Sequence, residues 1–108
     1  YRDLAILSLI LINTKKGLKM KVNNMLSNKN NSIPNQFIIY DDEWVIFQSY
    51  ESIIARYSFD KMKIELDSKY WNYSKTTSKY RNIFLDMTSQ EIKKGIKKGS
   101  LILTNLNN

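Results

Sequence analysis

The hydrophobic period changes once along the chain, and that change limits the fold more than any other feature. Met62, Ile64 and Leu66 alternate with Lys63, Glu65 and Asp67. A period of two belongs to a half-buried strand with one wet face. Tyr80, Ile83, Phe84 and Met87 then fall at i, i+3, i+4 and i+7, the spacing of an amphipathic helix. Strands gathered before residue 67 and helices after it predict an α+β fold.

The remaining elements follow from local signals. Phe37-Ile38-Ile39-Tyr40 and Trp44-Val45-Ile46-Phe47 flank Asp41-Asp42, which reads as a hairpin. Ile53, Ala55 and Tyr57 alternate and suit a third strand, and Phe59-Asp60-Lys61 turns the chain into a fourth. Downstream, the S-K-T-T-S run at 74–78 supplies candidate helix N-caps. Thr88 opens a capping box with Glu91. A second helix over 89–98 is expected, with Ile92 and Ile96 inward and Gly99 as its stop. Gly95 inside that helix should weaken it by about 1 kcal/mol. Ser100–Thr104 reads as a last strand returning to the sheet. The expectation is a small antiparallel sheet, a β-meander, followed by two short helices and a C-terminal strand. These form one domain over residues 36–108. An exposed edge strand in such a sheet could pair with a second copy, and residues 36–40 and 100–104 are both open to that role.

The first 35 residues have a different character. Residues 20–35 are rich in Asn, Ser and Lys and hold the only proline, Pro34. Such residues compete with the backbone and favour turns, so a flexible leader is expected. Residues 4–12, LAILSLILI, are apolar but too short to span a bilayer, which takes about 20 residues. They can be read as a signal-peptide core, although no small-x-small cleavage site follows. They can also be read as a buried helix or strand. A third reading is translation of upstream DNA, because Lys15-Lys16-Gly17 is encoded by purine-rich codons a short spacer before Met20. On that reading residues 1–19 are not part of the native protein.

Composition removes several function classes. The 108 residues contain no cysteine and no histidine, so disulfides, thiolate metal sites and Ser-His-Asp catalysis are out. Three glycines are too few for a glycine-rich phosphate loop. Asp41-Asp42-Glu43, the only acidic run, reads as a hairpin turn and not as paired catalytic carboxylates. The expectation is no enzyme, no cofactor and no metal, in a cytoplasmic protein of a bacterial cell with no membrane partner. The net charge is +7. That charge fits a footprint for nucleic acid or another polyanion, and equally a genome whose AT-rich codons favour Lys, Asn, Ile and Tyr.

One stretch stands out. In residues 69–81, KYWNYSKTTSKYR, aromatics interleave with basic residues. Tyrosine and tryptophan stack on bases, and Lys or Arg neutralise phosphates. The candidate contacts for nucleic acid or another anion are Lys69, Tyr70, Trp71, Tyr73, Lys75, Thr76, Thr77, Lys79 and Arg81. Basic residues at a helix start oppose the macrodipole, and a helix start flanked by hydroxyls can hold a phosphate. The competing reading is structural: Tyr70, Trp71 and Tyr73 plug a strand-to-helix junction, and the hydroxyls are caps. Lys93, Lys94, Lys97 and Lys98 form a second basic face on the 89–98 helix. They read either as an extension of the same surface or as a solvated face.

The segments FQSYESIIARY (47–57), LDSKYWNYSKTTSKYRNIFL (66–85) and SLILTNLN (100–107) resemble a family of small uncharacterised proteins from Gram-positive bacteria, their phages and plasmids. The likeness covers about residues 44–107, and W-N-Y-S-K-T-T-S at 71–78 is its distinctive core. It implies an accessory protein of a mobile genetic element and supplies no activity, cofactor or catalytic residue. Two functions remain: an accessory protein that binds nucleic acid through the basic-aromatic stretch, and a protein-binding module that engages or inhibits a host or defence protein.

Overall fold

The computed structural model describes residues 20–108; the reading of residues 1–19 as upstream read-through lies outside the described residues. In chain order the elements are β1 (Lys21–Leu26), β2 (Ser32–Tyr40), β3 (Trp44–Ser49), β4 (Ser52–Ser58), β5 (Ile64–Asp67), α1 (Lys75–Leu85), α2 (Ser89–Lys98) and β6 (Leu101–Thr104). The strands form one sheet in sequential order, β1 to β6. Neighbours are antiparallel through β5, and β6 joins β5 in parallel after the two helices. This is the expected α+β fold, with one strand more than the expected four before the helices. The edges are β1 and β6, so residues 36–40 lie inside the sheet and 101–104 lie at its margin.

The extra strand comes from residues 20–35, which are not a flexible leader. Lys21–Asn24 pair with Phe37–Tyr40. The Asn and Ser residues do make a turn, but a hairpin turn: Ser27 Oγ accepts from the N–H groups of Lys29 and Asn31, and Asn30 takes a left-handed φ of 64°, which asparagine tolerates. Pro34 is accommodated because β2 pairs with β3 only from Gln36 onward. Its missing N–H therefore falls outside that ladder.

Two alternations shift. Met62 is not the first inward residue of a strand: it is 81% exposed and belongs to the preceding turn. Asp60 Oδ1 accepts its N–H, and Lys61 sits at φ 61°. In β4 the buried residues are Ile54, Ala55 and Tyr57 rather than Ile53, Ala55 and Tyr57. Phe47 pairs with Ala55 and Gln48 with Ile53, so Ile54 is the extra residue of a β-bulge. A bulge breaks the alternation of two and turns neighbouring side chains the same way.

The C-terminal residues close this irregularity. Beyond Asp67 the chain leaves β5, and Ile53 has no strand residue beside it on that side. Asn107 takes that place: its Oδ1 accepts the Ile53 N–H at 2.7 Å and its Nδ2 donates to the Ile53 carbonyl at 2.8 Å. The two amide atoms mimic a strand's own donor and acceptor and satisfy a bulged backbone.

The core lies on one face of the sheet. Val45, Phe47, Ala55, Tyr57 and Leu66 point toward the helices. Phe84 of α1 brings its ring centroid within 5.6 Å of Phe47 and 5.0 Å of Tyr57. On α2, Ile92 is buried, and a Cβ at Gly95 would collide with the Leu101 side chain. Gly95 weakens the helix and at the same time admits β6. The capping box of Thr88 and Glu91 is present, and Gly99 ends α2 at φ 87°.

Candidate nucleic-acid interface

The stretch 69–81 begins where β5 ends, and Asp67 shapes that junction. Its carboxylate is buried. Oδ2 accepts from the N–H groups of Lys69 and Tyr70, and Oδ1 from that of Leu106. Burial pushes the Asp67 carboxyl up, but the N–H groups of Leu106, Tyr70 and Lys69 and the Asn107 side chain outweigh it. The pKa is held below the ordinary aspartate value. Asp67 thus fastens both the start of the basic-aromatic stretch and the end of the domain.

Residues 68–74 carry the chain from β5 into α1. Ser74 is the N-cap: its Oγ accepts from the Thr77 N–H at 3.1 Å. Lys75 is the first helical residue, and Lys79 follows one turn later on the same exposed side. Tyr73 is 69% exposed, and its ring meets that of Tyr70 edge-on at 5.5 Å. Lys69 Nζ lies 5.2 Å from the Tyr70 ring and Lys79 Nζ 5.2 Å from the Tyr80 ring. Thr76 is exposed beside them. The structure therefore places Lys69, Tyr73, Lys75, Thr76 and Lys79 at the surface, with Tyr70 half-buried against the core.

Thr77 and Arg81 are turned the other way, into the fold. Thr77 is 2% exposed and shares a 3.0 Å hydrogen bond with Ser49 Oγ on β3. Arg81 is 1% exposed. Its Nη1 donates to the Trp71 carbonyl at 2.6 Å and to Asn72 Oδ1, while Nε and Nη2 donate to Asn82 Oδ1 and Nη2 also to Ser89 Oγ. The guanidinium centre is 5.5 Å from the half-buried Trp71 ring. Burial pulls its pKa below the ordinary arginine value. Arg81 ties the turn, α1 and the start of α2 together, and Trp71 packs against it as a junction plug.

The reason lies in the helix face. Thr77, Arg81 and Phe84 sit at i, i+4 and i+7, and that is the buried stripe. Ile83, expected inward, is 47% exposed, and Met87 lies beyond the left-handed C-cap at Asp86. A stripe containing Thr and Arg carries no apolar signal, so a hydrophobic period cannot find it. Lys93, Lys94, Lys97 and Lys98 are all exposed. They lie on α2, a different helix from Lys75 and Lys79.

Hollows in the described surface lie elsewhere. One is bordered by Tyr57, Lys61, Ile64 and the end of α1 from Phe84 to Asp86, and another by the β2–β3 turn and Phe59–Asp60. The basic-aromatic face has no pocket at it among these. Among the described residues no group of three His, Cys, Asp or Glu side chains could hold a metal ion, and no helix is long and apolar enough to cross a membrane.

A family of unknown function, DUF8033, matches residues 20–100. The chain belongs to this family. The DUF8033 match starts at Met20 and takes in β1 and all of β2, further toward the N-terminus than the likeness read from the sequence. No curated protein and no solved structure matches the chain. In the fold the segments that carry that likeness meet one another, Ser49 bonding Thr77 and Asn107 bonding Ile53, and Arg81 bonds Trp71 within one of them. Much of the distinctive W-N-Y-S-K-T-T-S core at 71–78 therefore holds the fold.

Proposed function

We propose that the protein is a non-catalytic accessory protein that binds nucleic acid through the exposed part of the 69–79 stretch. The observation that supports this is a stretch of chain without opposing charge. No acidic residue occurs from Ser68 to Leu85. Within that span Lys69, Lys75 and Lys79 are exposed around Tyr73, which leans on Tyr70. Three separated cations and an exposed tyrosine, outside both hollows described above, suit an extended polyanion with unpaired bases better than a small ligand. Residues 20–108 hold 13 basic and 9 acidic residues, so the net positive field persists without the first 19. The likeness to proteins of phages and plasmids, and a composition rich in Lys, Asn, Ile and Tyr, support reading it as an accessory protein of a mobile element in the cytoplasm of a low-GC bacterium.

Binding to single-stranded DNA, double-stranded DNA and RNA as a function of salt tests the reading. Wild type is expected to bind most tightly to single strands, with affinity falling steeply as salt rises. A Lys69→Ala/Lys75→Ala/Lys79→Ala variant is expected to flatten the log–log salt slope by about 2, from roughly 0.7 per lost phosphate contact on single strands. Arg81 is left intact because it is buried. No binding by wild type at low salt overturns the reading and favours a protein-binding module that engages a host or defence protein, for which the uncovered face of the sheet is the supporting surface.

A further inference from the structure

Both helices pack on one face of the sheet, and among the described residues nothing packs over the other. The strand register sets one row across that bare face. Val22, Ile39, Ile46, Arg56, Glu65 and Ile102 lie side by side on β1 to β6. Val22 and Ile102, at the two margins, are exposed, Ile39 is buried, and Ile46, Arg56 and Glu65 are half-buried. At the centre, Glu65 Oε1 accepts from Arg56 Nε at 2.8 Å and pairs with Nη2 at 2.6 Å. The Arg56 guanidinium lies over the Trp44 ring, 3.9 Å from its centroid. Both contacts fall on Oε1 of Glu65.

We propose that this bare face is a homodimer interface, in which Arg56 of one copy meets Glu65 of the second. From β3 to β6 the row reads apolar, positive, negative, apolar. A two-fold axis parallel to the strands, between β4 and β5, lays β3 over β6 of the second copy and β4 over β5. Ile46 then covers Ile102, and Arg56 covers Glu65, in both directions. The four charges make an alternating ring, with apolar contacts on either side. A two-fold axis across the strands would lay Arg56 on Arg56 and Glu65 on Glu65, so the row selects one arrangement. Such a contact is isologous and closed, which limits it to a dimer, and aligned sheets pack face to face in this manner. Only four strands overlap, a small interface by the standards of stable dimers. Association is therefore expected at protein concentrations of roughly 100 μM and not at nanomolar ones.

Sedimentation velocity on the full chain, from about 10 to about 300 μM around that expected range, reads the outcome. Wild type is expected to shift from monomer to dimer mass. Arg56→Glu leaves two acidic positions at the centre of the row and Glu65→Arg leaves two basic ones. Each variant alone is expected to stay monomeric at the highest concentration. An equal mixture is expected to regain dimer mass, because only a mixed pair brings opposite charges together. Ile102→Glu, at an exposed margin outside the ion pair, is expected to lower dimer content at least tenfold even if the charge variants fail to fold by circular dichroism. A wild type that remains monomeric throughout overturns the proposal and leaves the face to a different protein. So does a mixture of two folded variants that stays monomeric, or a dimer that survives Ile102→Glu.

Discussion

α1 and α2 have similar lengths and pack on the same face of the sheet, yet opposite rules hold them there. α2 buries Ile92 and keeps four lysines outside, as its sequence pattern requires. α1 buries a threonine and an arginine beside Phe84 and leaves Ile83 half in water. α2 is held mainly by apolar area, with a capping box at its start. α1 is held largely by directed hydrogen bonds, from Thr77 to β3 and from Arg81 to the turn before it and to the helix after it. The side of a helix that faces the core is thus set by where partners exist, and residue type alone does not reveal it.

The largest effect that would sharpen this contrast is expected at Arg81. Arg81→Ala leaves the Trp71 carbonyl and the Asn82 side-chain oxygen without their donor and removes one of two donors to Asn72 Oδ1, in a partly buried site. It should cost about 3 kcal/mol in urea denaturation, against nearly nothing for Lys79→Ala two residues away. Equal losses would break the distinction between the inner and outer faces of α1.

Next comes Asp67, which aims the chain into α1. Its folded-state pKa is depressed, so its contribution is present in full above the unfolded value of about 3.9 and is lost as pH falls through the folded one. Asp67→Asn should cost about 2 kcal/mol at neutral pH. The variant should also lose part of the wild type's acid destabilisation, seen as a flatter dependence of the melting temperature on pH below about 4. An unchanged acid limb would show that other carboxylates control it.

The smallest effect belongs to α2. Gly95→Ala raises helix propensity by about 1 kcal/mol but drives a methyl group into Leu101, an overpacking cost of about 2 to 3 kcal/mol. A net loss of about 1 to 2 kcal/mol is expected. A stabilised variant would mean that β6 moves aside freely and that α2 is not fixed by it.

The legible parts of the fold are those in which local chemistry and burial agree. The Asp41 turn, the T-S-Q-E box and the Gly99 stop each act within a few residues, and each is where the sequence places it. β1 was illegible because its Val22 and Met25 are separated by Asn23 and Asn24, which carry turn chemistry that the adjoining hairpin uses. Ile54 was illegible because a bulge is a property of two strands together. The candidate site was half legible: Lys69, Tyr73, Lys75 and Lys79 are outside, whereas the roles of Thr77, Arg81 and Asn107 depend on partners in other turns, helices and strands.

The Asn107 clasp also sets the order in which the domain becomes whole. Synthesis runs from the N-terminus, and each of β2 to β5 finds its predecessor already made. The parallel neighbour of β5 and the amide that closes Ile53 come only with residues 101–107. Until those residues have emerged, the growing chain exposes β5 as a raw edge and leaves a bulged backbone open beside it. Nascent protein therefore carries, for a short interval, a surface that the finished domain does not have. That interval is when the chain is most prone to pair with the wrong strand.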